Sequence, residues 1–250
     1  MDAALNPRRD PPRQPGVADS KRYRVMRTLD RFLVHALLRV RVIGPERWPD
    51  APYCLVPNHH SAWDPLLLLA ICPAVPRITF FGPRERDFSR GLSNRVMGFF
   101  GGVIPIHPDK TSLLSAVRAV RRVFEAKGVL AIFPEGRNGF AETQLQPFEE
   151  GAVAFASSAG VPILPVVFSG TTFVWIGKRV TVRFGAPIDT RSATDEAGRD
   201  RLTAEVRAAI QAMLPTTEPP PDEDGPLRGF MTDVFHSKEE TARRVAALGR

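Results

Sequence analysis

The chain has 250 residues, 43% hydrophobic and 24% charged, and a net charge of +7 at pH 7. That length suits one domain of about 200 residues plus tails, and the composition excludes a chain disordered throughout. The basic balance calls for an anionic partner without choosing between nucleic acid and lipid. Its location is more informative: residues 1–50 hold 11 basic and 6 acidic side chains, residues 51–214 hold 18 and 14, and residues 215–250 hold 5 and 7.

Residues 1–20, with Pro7, Pro11, Pro12, Pro15 and Gly16, read as a disordered arm. Residues 21–45 then read as a basic amphipathic helix. Val25, Met26, Leu29, Phe32, Leu33, Ala36, Leu37 and Val40 recur at helical spacing, while Arg24, Arg27, Arg31 and Arg39 take mostly the other positions. Periodicity leaves two roles open: packing on its own domain, or lying in the headgroup layer of an anionic membrane.

Residues 46–214 alternate strand and helix signals. Short apolar runs fall at Tyr53–Val56, Ile78–Phe81, Val103–Ile106, Val129–Phe133, Ile163–Phe168 and Val180–Phe184, with helical patterns at 65–71, 90–99, 111–126, 148–159 and 196–213. The pattern predicts an α/β fold: a single domain with a mixed central sheet flanked by helices, mixed because some connectors are too short for a helix. After it, residues 215–250 read as an acidic, proline-rich linker and a short helical tail across 230–247, with no chemistry assigned.

No signal peptide is expected, because residues 1–22 lack an apolar h-region. The longest apolar candidate, Leu66 to Ile71, is far short of the ~20 residues of a membrane span. Cys54 and Cys72 lie in apolar surroundings and read as reduced, buried thiols of a cytoplasmic compartment.

The chemistry-bearing residues cluster after the first core strand, in Pro57-Asn58-His59-His60-Ser61-Ala62-Trp63-Asp64-Pro65. A strand end followed by a turn is where α/β folds present reactive groups. A His can take a proton near neutral pH, and a carboxylate beside it can fix its tautomer. His59 and Asp64 meet only if the chain turns between them, as at a helix start. An Asn/Ser/Asp helix cap with incidental histidines explains the same residues equally well. A second turn, Phe133-Pro134-Glu135-Gly136-Arg137-Asn138-Gly139, offers backbone N–H groups and the Arg137 cation as an anion cradle; an ordinary strand exit is the plainer reading.

Taken together these blocks resemble the glycerolipid acyltransferase family, typified by bacterial 1-acylglycerol-3-phosphate acyltransferases. Asn58-His59-His60-Ser61-Ala62-Trp63-Asp64 matches its Asn-His-x-Ser-x-x-Asp block, and Phe133-Pro134-Glu135-Gly136 its Phe-Pro-Glu-Gly block. Phe148 to Ala152 resembles its Phe-x-x-Gly-Ala helix start, and Val161 to Val166 its proline-flanked strand. The four blocks follow the family's order across residues 52–186.

The resemblance implies transfer of a fatty acyl group from acyl-CoA or acyl carrier protein to the hydroxyl of a lysophospholipid-like acceptor, lysophosphatidate foremost. It implies His59 as general base and Asp64 as its orienting carboxylate. Among the substrate-binding residues it implies, Asn58 and Ser61 would hold the turn or assist positioning, Glu135 and Gly136 would contribute to acceptor binding, Arg137 is a candidate phosphate ligand, and Arg84 falls near a basic position the family also uses. It further implies no metal or redox cofactor and a cytoplasmic chain peripherally bound to an anionic membrane. One departure stands out: Gly102-Val103-Ile104-Pro105-Ile106-His107-Pro108 places Pro108 where family members with a glycerol-phosphate acceptor carry a phosphate-gripping Arg.

Other readings fare worse. No pair among His59, His60, His107 and Cys54 has zinc spacing, and Cys54 lacks an activating charge for a thiol nucleophile. No Gly-x-Ser-x-Gly serine elbow occurs. Basic residues are not interleaved with aromatics as in a nucleic-acid binder. The non-enzymatic alternative is a membrane- or lipid-binding protein of the same fold, against which the intact His59/Asp64 pair argues.

Overall fold

The computed structural model describes residues 21–83, 103–106, 110–219 and 224–233. Arg84, His107, Pro108, the arm over 1–20, the helix expected over 90–99 and residues 234–250 lie outside the described residues.

Helix α1 (Lys21–Leu37) ends earlier than its hydrophobic spacing suggests. The predicted helix over 21–45 is corrected: Arg39-Val40-Arg41-Val42-Ile43 is strand β1 (Arg39–Ile43). Alternating Arg and Val suit the two-residue period of a strand, and the β-branched side chains favour it. The backbone is also diverted at this point. Gly177 N donates to Leu37 O at 2.7 Å and Arg39 N donates to Lys178 O at 2.9 Å, so the chain leaves the helix already paired to its sheet neighbour. The sheet therefore begins before residue 46.

A short 3-10 turn (Pro45–Arg47) leads to β2 (Tyr53–Pro57), α2 (Trp63–Ile71), β3 (Ile78–Pro83) and β4 (Val103–Ile106). Then come α3 (Lys110–Glu125), β5 (Val129–Ile132), α4 (Gly151–Ala159), β6 (Ile163–Ser169), β7 (Arg179–Phe184), α5 (Glu196–Gln211) and α6 (Arg228–Asp233). The strands form one seven-stranded sheet in the order β1-β7-β6-β2-β5-β3-β4. Every neighbouring pair is parallel except β6 and β7. The sheet is mixed for the reason anticipated, because the β6–β7 connector holds no helix that could carry the chain back across the sheet.

Side-chain alternation divides the core between the two faces. Tyr53 and Leu55 of β2 point toward α1 and α2, with Ile78, Val129 and Leu164. Cys54 and Val56 point toward α3, α4 and α5, with Leu130 and Ile163. Helices on both faces leave the central strands buried throughout, which is why they read as unbroken apolar runs.

Helix α1 packs on α2 by burying Tyr23, Asp30 and Val34. Its apolar stripe lies on the opposite side: Val25, Leu29 and Leu33 are exposed, and Phe32 is 75% exposed. Among the described residues no helix is long and apolar enough to cross a membrane. At the other end of the chain, Asp224 to Asp233 is more than a linker. Trp63 Nε1 donates to Met231 O at 3.1 Å, Val174 N donates to Thr232 Oγ1 at 3.3 Å, and Met231 and Thr232 are buried.

Candidate active site

Strand β2 delivers its last residues to the edge of the sheet where its parallel neighbours also end. Asn58 fastens this exit sideways. Its Nδ2 donates to Phe168 O at 3.1 Å and its Oδ1 accepts from Phe168 N at 2.7 Å, so a side chain adds one more rung to the β2–β6 ladder. The chain is then free to turn, and helix α2 begins at Trp63 with Ser61 Oγ accepting from Trp63 N at 3.2 Å.

The turn brings His59 and Asp64 together: His59 Nδ1 lies 2.9 Å from Asp64 Oδ2. The same oxygen accepts from His60 N at 2.6 Å and Ser61 N at 2.9 Å. Asp64 is fully buried, and its Oδ1 makes no hydrogen bond among the described residues. Burial alone would raise its pKa, but the His59 hydrogen bond, the nearby His59 and His60 charges and the Ser61 N–H outweigh it and hold the carboxyl below its ordinary value. An ionised Asp64 can only accept, so Nδ1 carries the hydrogen, and in the neutral ring the lone pair then sits on His59 Nε2. The His59 ring rests 4.1 Å from the Phe133 ring, centroid to centroid, and its side chain stays partly exposed.

The Phe133–Gly139 turn supports this pair from the β5 side. Glu135 is buried, and its Oε1 accepts from His59 N at 2.9 Å while Oε2 accepts from Gln146 N at 2.7 Å. Burial raises its pKa despite those two backbone donors. Gly136 takes φ +61°, a left-handed conformation that glycine adopts without strain. Gly139 N donates to His59 O at 2.6 Å, and a Cβ at Gly139 would meet His59 O and His60 Cδ2, each at 3.4 Å.

His59, Asp64, Asn58, Ser61 and Glu135 thus converge. Asn58, Ser61 and Glu135 spend their polar atoms on the backbone of the site itself, whereas Gly136 and Arg137 are exposed at the turn. Arg84 lies outside the described residues. Sequence reasoning placed Gly139 in the Phe133–Gly139 turn without its bond to His59, and missed Thr171 and Glu142. Thr171 Oγ1 lies 3.3 Å from His60 Nδ1, and the buried Glu142 carboxylate accepts from Gly170 N at 2.6 Å and Thr172 N at 3.2 Å. On the same sheet edge, Arg39, Lys178 and Arg179 line a cavity of about 510 Å³. The cysteines are poor nucleophiles: both are buried, which pushes the Cys54 thiol up and the Cys72 thiol to about 12.

Comparison with known proteins places the chain in a family. The acyltransferase family model matches residues 39–169, more than half of the chain. The 1-acyl-sn-glycerol-3-phosphate acyltransferase of Saccharomyces cerevisiae is 28% identical over 64% of the chain and 54% of its own length. The alpha enzyme of that name from Mus musculus is 30% identical over 68% of the chain and 64% of its own length. The human beta enzyme is 35% identical over 53% and 47%. The chain therefore spans less than two thirds of each of these relatives. The crystal structure of the 1-acyl-sn-glycerophosphate acyltransferase PlsC from Thermotoga maritima shares the fold, with a TM-score of 0.59 at 19% identity over 76% of this chain and 79% of that one.

Proposed function

This chain belongs to the acyltransferase family, and from that premise we propose that it moves a fatty acyl group from a thioester donor to the free hydroxyl of a lysophosphatidate-like acceptor, a step of phospholipid biosynthesis. The observation that carries the reading is the His59 Nδ1–Asp64 Oδ2 contact of 2.9 Å, with the carboxylate held by two further N–H groups. In the proposed step His59 Nε2 takes the proton of the acceptor hydroxyl as its oxygen attacks the thioester carbonyl. The tetrahedral oxyanion collapses, the C–S bond breaks, and the departing thiolate recovers the proton from the imidazolium. Base assistance of this kind is worth roughly 100–10,000-fold. Asp64 keeps Nδ1 as the donor nitrogen and balances the transient positive charge.

The printed names of the relatives favour lysophosphatidate as acceptor. Acyl-CoA and acyl carrier protein both satisfy the donor chemistry. Arg137, exposed at the turn that holds His59, is the cation offered to the acceptor phosphate. The exposed apolar stripe of α1, flanked by Arg24 and Arg31, supports docking on an anionic membrane, where such an acceptor resides.

The test is acyl transfer from labelled acyl-CoA or acyl carrier protein to lysophosphatidate and to phosphate-free acceptors, with wild type and His59→Ala compared. His59→Ala should lose turnover while keeping its thermal transition. Undiminished turnover in that variant overturns the mechanism, and lipid binding without turnover on any acceptor in the wild type favours a lipid-binding role.

A further inference from the structure

We propose that the segment Leu227–Asp233 is a second lipid-contacting element that continues the α1 face onto an anionic bilayer. The inference rests on the membrane reading of α1 and extends it to the opposite end of the described chain. Besides the α1 stripe, Val75, Ile176, Leu227 and Phe230 are large apolar side chains left exposed, the last 65% exposed, on loops and a helix bonded directly or in turn to α1.

Three hydrogen bonds stitch these positions together. Arg27 Nη2 donates to Cys72 O, which sets the loop carrying Val75 beside the first half of α1. Gly177 N donates to Leu37 O at 2.7 Å, which sets Ile176 at the end of α1, and Ile176 N donates to Pro226 O at 3.1 Å, which brings Leu227 alongside.

The segment is fixed rather than loosely appended. Met231 joins the same buried cluster as Tyr23 and Val34 of α1, its carbonyl is held by the Trp63 indole, and Thr232 bonds Val174. The inner side of α6 is thereby committed to the core, which leaves Leu227 and Phe230 turned outward with no covering element among the described residues. Exposed apolar side chains gathered on elements bonded to one another in this way mark an interaction site.

Charge selects the partner. The exposed charged residues of α1 (Lys21, Arg22, Arg24 and Arg31) are all basic, and its one acid, Asp30, is buried. The cations that select anionic headgroups therefore come from α1; beside the segment stand the exposed Asp224 and the half-buried Arg228, which pair at 3.9 Å, so the segment's own contribution is the apolar contact of Leu227 and Phe230 with acyl chains.

The test is flotation of the full chain with vesicles of phosphatidylcholine containing phosphatidylglycerol. Wild type is compared with Phe32→Asp on α1 and with Leu227→Asp/Phe230→Asp on the segment, and thermal unfolding serves as the folding control. The segment variant should lose roughly tenfold or more of its partitioning with its thermal transition retained. In parallel, Phe230→Trp should show indole fluorescence quenched by brominated phosphatidylcholine, a readout that needs no disruptive charge. If the segment variant floats like wild type while Phe32→Asp does not, α1 alone docks and the proposal falls. If both variants float like wild type, the α1 reading falls with it. Quenching no greater than that of the wild type, which carries Trp48, Trp63 and Trp175, overturns the proposal whatever the aspartate variants do.

Discussion

Glu135→Gln separates a residue that holds the site from one that holds the acceptor. Both Glu135 oxygens receive a backbone N–H, from His59 at 2.9 Å and from Gln146 at 2.7 Å, at a position only 4% exposed. A glutamine has one acceptor oxygen, so one charge-assisted bond worth roughly 1.5–3 kcal/mol is lost. Its amide nitrogen would face an N–H, stranding a buried donor at about 1–3 kcal/mol more. Removing a charge that burial already disfavours offsets part of this. The net cost is about 2–4 kcal/mol, a fall in Tm of roughly 5–15 °C for a domain of this size. Loosening the His59 backbone should also lower kcat, by up to about 100-fold if the ring shifts by 1 Å. Thermal unfolding and steady-state kinetics with both substrates varied would show a lower Tm and kcat at unchanged acceptor KM. An unchanged Tm with a selectively raised acceptor KM would refute this account and return Glu135 to the acceptor.

Two further outcomes follow from the buried carboxylates. Asp64→Asn keeps an oxygen for the three N–H donors but removes the countercharge of the imidazolium, so kcat should fall roughly 100–10,000-fold in steady-state assays. Near-wild-type kcat would mean that the charge is not used. Asp30 is raised by burial, against the opposing pull of Arg27, from 3.8 to about 7. Between those values the unfolded chain releases its proton while the folded one retains it, so stability declines as pH rises from about 4 to about 7 and then levels off. The decline is on the order of 4 kcal/mol. Asp30→Asn should remove that slope in urea unfolding measured from pH 4.5 to 8, and parallel wild-type and variant curves would contradict the assignment.

What the sequence discloses depends on whether partners are near in the chain. His59 and Asp64 are legible because both ends of their bond are side chains five positions apart, and a helix start closes the distance. The Glu135 bond is not, because its partner is a backbone N–H 76 residues earlier, and a backbone leaves no residue-type signal. Glu142 escapes for the same reason, since it acts on the main chain of 170–172, whereas Thr171 escapes because its side-chain partner, His60, lies 111 residues earlier. In α1 the periodicity finds the apolar stripe correctly but cannot say what covers it, and the core takes the face with Tyr23, Asp30 and Val34 instead. Val40 fits a helical and an alternating pattern alike, so the break at Leu38 becomes visible only with the Gly177 and Lys178 backbone partners. The central strands, apolar on both faces, are the most legible elements.

The Asn58 rung constrains the chemical ageing of the protein. Its carboxamide imitates a peptide group, donating to one atom of Phe168 and accepting from another. Deamidation to aspartate exchanges a single NH₂ for oxygen, yet it would set a carboxylate against the Phe168 carbonyl in a site without solvent access. A mass change of about one unit at this position would thus remove the last rung between β6 and the strand that presents His59, leaving the other β2–β6 pairs in place. Protein stored until Asn58 deamidates should lose the proposed acyl transfer with His59 and Asp64 chemically intact.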